Sequence, residues 1–244
     1  MTPLFDAAGR VMVLTGASGG IGRTILEHHL EAGGSVAGLD FCAASPAVAD
    51  HLEWIACDVT DEDMIAQAIA QTVQRFGRID AVVHAAGAVG QGPLASVAKA
   101  DWDRLIAVNL TSAFLIAKHA QPHLAASRGA LVLFSSTNGR NGGSHLSGPA
   151  YAAAKAGVLN LNRYLAKEWA PLGVRVNAVA PGPVRTPMLD RLGEDGIAAL
   201  ARSMPTGALT EPEEIAAAVA FLISPHARSM TGTVLNPSGG LVLD

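Results

Sequence analysis

Cysteine is almost missing from this chain: two in 244 residues, Cys42 and Cys57, which is too few for a disulfide framework and lacks the spacing of a zinc site. Both are expected to be small buried fillers, and no metal is expected. Basic charge is also scarce, with 17 Lys and Arg against 21 Asp and Glu and a formal net charge of -4. Such a chain lacks the cationic excess that nucleic acids or anionic membrane surfaces require, so both are set aside as partners. Long apolar runs are absent too. The longest uncharged stretch, 81–98, is interrupted by His84, Gln91, Pro93 and three glycines, which disqualifies it as a membrane span. The first ten residues carry Asp6 and no apolar run of signal-peptide length, so a cytoplasmic location is expected.

What remains is half hydrophobic and only 16% charged, enough to bury a large core. No Pro/Ser-rich or charged run divides it, so one domain over 1–244 is expected. Short apolar runs alternate with longer Ala/Leu-rich segments of helical period. Strands are expected at 11–14, 35–39, 54–57, 81–84, 130–134, 174–178 and 232–235. Helices are expected near 21–31, 63–76, 101–125, 150–169 and 212–223, the third with a break inside it. That order predicts an α/β fold: a doubly wound parallel sheet of about seven strands with helices on both faces.

Three stretches carry chemistry. The first, Thr15-Gly16-Ala17-Ser18-Gly19-Gly20-Ile21-Gly22, lies between the first strand and the first helix. Glycines there let backbone approach a pyrophosphate, and the helix N-terminus offers unpaired N–H groups and a positive dipole end. The bland reading is a strand-to-helix turn without a ligand. In the second stretch Asp40 closes the second strand, where a carboxylate accepts hydrogen bonds from an adenosine ribose. A 2'-phosphate would meet a like charge there, and no Arg or Lys occurs in 16–22 or at Phe41 and Cys42 to neutralise it. NAD(H) is therefore expected rather than NADP(H), unless Asp40 merely starts a turn. The third stretch is Tyr151-Ala152-Ala153-Ala154-Lys155, whose four-residue spacing on a helix sets phenol and ammonium side by side. A free phenol titrates at about 10; a neighbouring ammonium favours the phenolate and lowers that value.

Taken in order, these pieces resemble the short-chain dehydrogenase/reductase family along nearly the whole chain. The matching segments are Thr15-Gly16-x-x-x-Gly20-x-Gly22, Asp58-Val59, Ala85-Ala86-Gly87, Val108-Asn109-Leu110, Ser135-Ser136, Tyr151-x-x-x-Lys155 and Pro181-Gly182-Pro183-Val184-x-Thr186. The resemblance implies a Rossmann-type fold and a catalytic set of Asn109, Ser136, Tyr151 and Lys155 around a nicotinamide. Tyr151 would exchange a proton with the substrate oxygen while hydride passes to or from the nicotinamide. Lys155 would hold the nicotinamide ribose and depress the Tyr151 pKa, Ser136 would hydrogen-bond the substrate oxygen, and Asn109 would bind a water linking Lys155 to solvent. Gly16, Ser18, Gly19, Gly20, Ile21 and Gly22 would cradle the dinucleotide, and Asp58 and Val59 would contact its adenine. Ala86 and Gly87 would let the fourth strand's end pass close to it, with Pro181, Gly182, Val184 and Thr186 near the carboxamide. The implied substrate is a small alcohol or carbonyl compound, and the implied assembly a homotetramer or homodimer through the helices holding Asn109 and Tyr151.

The chain departs from the family in three places. His84-Ala85 stands where Asn is usual, and this strand-end histidine is read as structural, with no proton-transfer role. His28 and His29 are likewise read as helix residues. The interval between Ser136 and Tyr151 is about two residues longer than common, which leaves Ser135 as the fallback hydroxyl. Ser238 replaces the usual Asp of the glycine-paired terminus. The lengthened segment, rich in Gly and Ser, carries Arg140 and His145; Arg140 is either a selector of anionic substrate groups or an exposed loop charge. Residues 187–206 are expected to form a mobile lid or an ordinary amphipathic surface helix. Two rival functions are a catalytically silent NAD-binding regulator or scaffold, and an epimerase or dehydratase of the extended relatives; the intact catalytic set opposes the first and the short C-terminus the second.

Overall fold

In the computed structural model, residues 6–41 and 50–243 are described; Cys42 lies outside them. Seven strands form one parallel sheet: β1 Val11–Thr15, β2 Ser35–Asp40, β3 Leu52–Ala56, β4 Ala81–His84, β5 Ala130–Phe134, β6 Arg175–Val179 and β7 Val234–Leu235. Their spatial order is β3-β2-β1-β4-β5-β6-β7. The chain therefore reverses its winding direction between β1 and β4, the crevice where open parallel sheets bind ligands.

The helices are α1 Gly20–Glu31, α2 Glu62–Phe76, α3 Lys99–Ile106, α4 Ser112–Ser127, α5 Asn138–Asn141, α6 Pro149–Trp169, α7 Gly193–Ser203 and α8 Pro212–Ile223. Strands β1, β4 and β5 are buried at every residue, which explains their continuous apolar sequences. Alternate side chains feed two cores. Val13, Leu39, Val82, Leu131 and Leu133 meet Ile65, Ile116, Leu124 and Leu165 of α2, α4 and α6. Met12, Leu14, Val83 and Val132 meet Ile25, Leu26, Ile215, Val219 and Leu222 of α1 and α8 on the other face. Cys57 is buried in the first core, and its thiol is pushed up to about 11 by desolvation, then by Asp58 and Asp61.

End signals explain where several helices begin and stop. Asp61 caps α2 by accepting from the Met64 N–H at 3.0 Å, and Gly77 ends it at φ +79°. Pro212 opens α8, where the Glu214 side chain accepts from the Glu211 N–H at 2.8 Å.

The expected break in the third helix is real and takes the form of a π-turn, Ala107–Thr111, between α3 and α4. The expected bounds of β4 and β5 are the observed ones, and the others differ by one or two residues, because pairing rather than composition ends a buried strand. One element was not anticipated, and one was expected only as an alternative to a lid. Helix α5 occupies the Gly/Ser-rich segment read as a loop, and 187–206 is a 3₁₀ turn, Pro187–Leu192, followed by α7. Met204, just after α7, is buried.

Candidate active site

The glycine turn is set by sterics. Gly16 sits at φ +68°, and a Cβ there would lie 2.8 Å from the Ala86 nitrogen. A Cβ on Gly22 would run into the Gly16 carbonyl oxygen, and one on Gly20 would lie 2.8 Å from Thr186 Cγ2. The turn thus folds tightly beneath the start of α1 and against the 181–186 segment. Helix α1 has Gly19 at its N-cap, with no side-chain cap and no acidic residue in its first turn, and Ser18 and Gly19 are exposed. An open, positive helix end framed by glycines fits a dinucleotide pyrophosphate.

At the end of β2, Asp40 Oδ2 accepts from the Ser18 N–H at 3.0 Å, which holds this carboxylate beside the glycine turn. Asp58 Oδ1 accepts from the Thr60 N–H at 2.9 Å and hydroxyl at 2.7 Å, and Val59 is buried in the core. These bonds close a turn just after β3.

On the other side of the crevice, side chains converge. Two adjacent serines follow β5, and the structure separates their roles. The Ser135 hydroxyl donates to the Lys155 carbonyl at 2.7 Å and is spent on structure. Ser136 Oγ accepts from the Asn138 N–H at 3.2 Å and is hydrogen-bonded to Tyr151. Ser136 is therefore the hydroxyl that reaches the phenol.

Burial pushes the Tyr151 phenol above its ordinary value, opposed by the Ser136 hydrogen bond. This differs from the lowering expected from Lys155. The amine lies 5.5 Å from the Tyr151 ring centroid and donates to the Phe134 carbonyl at 2.8 Å, while desolvation brings its own pKa down to about 8.

Asn109 lies in the π-turn. Its Nδ2 donates to the carbonyls of Ala88 (2.8 Å) and Leu105 (2.9 Å), and its Oδ1 accepts from the Ala88 N–H (3.3 Å). A Cβ on Gly87 would lie 2.8 Å from Asn109 Oδ1 and 3.4 Å from Lys155 Nζ, so these polar groups meet where only glycine fits. The 181–186 segment is tied down by the Thr137 N–H donating to Pro181 O (3.0 Å) and the Gly182 N–H donating to Pro237 O (3.1 Å). Val184 is buried, and it forms a bridge with Thr210.

Arg140 is engaged with the C-terminal segment. With the Asn236 amide oriented to satisfy both its ends, its oxygen accepts from Arg140 Nη1 at 3.2 Å and its nitrogen donates to Ala180 O at 3.3 Å. Arg140 thus ties α5 to the C-terminal segment. Arg104, Arg191, Asp101 and His145 border a cavity of about 600 Å³ beside the start of α6. Arg191 went unnoticed in the sequence because its link, Nη2 to the Leu146 carbonyl at 2.6 Å, joins segments 45 residues apart. His28 and His29 both lie in α1.

Among the described residues, no helix is long and apolar enough to cross a membrane. A family model described as enoyl-(acyl carrier protein) reductase matches residues 16–242. Cis-4-hydroxycyclohexanecarboxylate dehydrogenase of Sinomonas cyclohexanicum is 41% identical over 242 residues, covering 96% of both chains. The 3-oxoacyl-(acyl-carrier-protein) reductase of Thermotoga maritima is 34% identical over 244 residues, covering 96% of this chain and 98% of its own. A solved short-chain dehydrogenase/reductase of glucose/ribitol dehydrogenase type from Brucella melitensis superposes with a TM-score of 0.92 at 33% identity, covering 98% and 99% of the two chains.

Proposed function

The chain belongs to the short-chain dehydrogenase/reductase family, which makes it an oxidoreductase with a nicotinamide cofactor, NAD(H) or NADP(H); from that premise we propose that it is NAD(H)-dependent and interconverts a secondary alcohol and a ketone. The observation that carries the reading is the meeting of Ser136, Tyr151, Lys155 and Asn109 at the switch point of the sheet. When bound, the nicotinamide supplies or accepts the hydride. Ser136 orients the substrate oxygen against Tyr151, which gives it a proton in reduction and removes one in oxidation. Lys155, fixed by Phe134 O, keeps two further N–H donors for the ribose and the proton path, and Asn109 holds the backbone beside it. The glycines at 16, 19, 20 and 22, with Ser18 and Ile21, cradle the pyrophosphate. Ala86 and Gly87 and the 181–186 segment flank the nicotinamide end, and Asp58 and Val59 the adenine end.

Asp40 supports NAD(H). A carboxylate fixed at the glycine turn repels a 2'-phosphate by about 1 to 4 kcal/mol at 4 Å separation. The hydroxy-acid named for the Sinomonas relative, together with the Arg191 guanidinium at the cavity, supports a cyclic secondary alcohol bearing an anionic group. Exposed Phe114 on α4 and Tyr164 on α6 support a homotetramer or homodimer through those helices.

The test is a screen of secondary alcohols and ketones with NAD(H) and NADP(H), beside calorimetry of both reduced cofactors. Turnover with NAD(H) and at least tenfold tighter NADH than NADPH is expected. Tighter NADPH would overturn the cofactor assignment, and no turnover across the panel would favour the silent binding protein.

A further inference from the structure

His84 ends β4, is buried, and touches a polar group at each ring nitrogen. Nδ1 lies 2.8 Å from Thr15 Oγ1 and Nε2 lies 2.9 Å from Ser112 Oγ. The direction of these bonds follows from their neighbours. Ser112 spends its one hydrogen on the Val108 carbonyl at 2.7 Å, so towards the ring it accepts, and Nε2 carries the proton. In a neutral imidazole Nδ1 is then the acceptor, and the Thr15 hydroxyl donates to it while accepting from the Ala86 N–H at 3.2 Å. Burial, then the charge of Lys155, lowers the His84 pKa to about 3, in keeping with a neutral ring.

The hydrogen bonds form one directed chain: Ala86 N–H, Thr15 hydroxyl, His84, Ser112 hydroxyl, Val108 carbonyl. Its first end joins the residues that precede Gly16 and Gly87. Its second end lies in the π-turn beside Asn109, where five-residue bonding takes carbonyls out of the usual helical register. Asn109 closes the circuit through both backbone groups of Ala88.

We propose that His84 is a positioning residue: it sets the two dinucleotide-facing turns and the π-turn of Asn109 in mutual register through a one-way hydrogen-bond chain. The part concerning Asn109 rests on the functional reading above. A plain buried histidine would act on stability alone, whereas this chain has two ends that can be cut separately. Asn reaches the position of Nδ1 and Gln that of Nε2, so each amide restores one end.

The experiment uses the full chain and the variants Thr15→Val, Ser112→Ala, His84→Asn and His84→Gln. Three quantities are measured: NADH dissociation constant by fluorescence titration, kcat with the best alcohol from the screen, and wild-type His84 ring ¹⁵N shifts. Thr15→Val and His84→Gln should weaken NADH about fivefold with kcat within about twofold, the size expected for one lost hydrogen bond. Ser112→Ala and His84→Asn should lower kcat about tenfold with NADH affinity within about twofold. The ring should be neutral with hydrogen on Nε2. Joint loss of affinity and kcat in all four variants, no change in any of them, or a ring protonated on Nδ1 would overturn the proposal. Titration and spectrum need no turnover, so a chain that binds NADH and oxidises nothing would sink the functional reading while these two still decide the chain's direction.

Discussion

The two flanks of the switch point work by different means. Around β1 and β2 the site is built from backbone: Gly16, Gly20 and Gly22 are required because a side chain would strike Ala86, Thr186 or Gly16 itself, and Asp40 is held by the Ser18 amide. Around β5 and α6 it is built from side chains whose partners are distant in sequence, such as Ser135 with the Lys155 carbonyl and Lys155 with the Phe134 carbonyl. The first flank tolerates no added atoms; the second tolerates no rotated ones. Binding and chemistry should therefore fail separately.

The largest effect expected from breaking the backbone flank is that of Gly22→Ala. The added methyl must displace the Gly16 carbonyl, and NADH affinity should fall about a hundredfold, read by fluorescence titration. Affinity within a few-fold of wild type would show that the turn has slack.

On the side-chain flank the two serines should part. Ser136→Ala should lower kcat about thirtyfold with NADH affinity unchanged, as expected for a lost hydrogen bond to the reacting oxygen. Ser135→Ala should leave kcat within about threefold and cost roughly 1 kcal/mol of unfolding free energy, because its bond ties strand to helix. The reverse order in kcat would exchange their roles.

Asp40→Ser sharpens the first flank. Removing the carboxylate should narrow the preference for NADH over NADPH about tenfold, measured as the ratio of dissociation constants. A preference unchanged by the substitution would move the selectivity elsewhere.

The second flank also carries a pH dependence of stability. Burial lowers the Lys155 amine from 10.5 to about 8. Between those values the unfolded lysine binds a proton that the folded one lacks, so folding gains stability as pH rises through the window. Wild type measured against Lys155→Met should gain about 2 kcal/mol of unfolding free energy from pH 8 to 10.5. A flat or falling difference would mean that the amine stays charged in the fold.

The same contrast explains what could be read from the residues beforehand. The succession of strands along the chain and the glycine turn were legible because buried parallel strands need unbroken apolar runs and tight turns need glycine. Tyr151 and Lys155 were legible because helical spacing makes them neighbours. The resemblance favoured Ser136 over Ser135, but the physical ground was hidden, since the two are adjacent after the same strand and only the Lys155 carbonyl separates them. Nor was the role of Arg140 legible, being set by Asn236 across 96 positions of sequence. Helix α5 was missed because Asn138-Gly139-Arg140-Asn141 has poor helical propensity; it forms by packing on α6, where a Cβ on Gly139 would lie 2.6 Å from the Lys155 carbonyl carbon.

The central assignment, Tyr151 as the proton-exchanging group beside bound NAD(H), is tested most directly by single-turnover hydride transfer. Enzyme, NAD and a secondary alcohol are mixed, and the appearance of NADH is followed for wild type and Tyr151→Phe. A loss of about a thousandfold in the variant, with NAD affinity unchanged, is expected. Equal rates of NADH formation in the two proteins would contradict it.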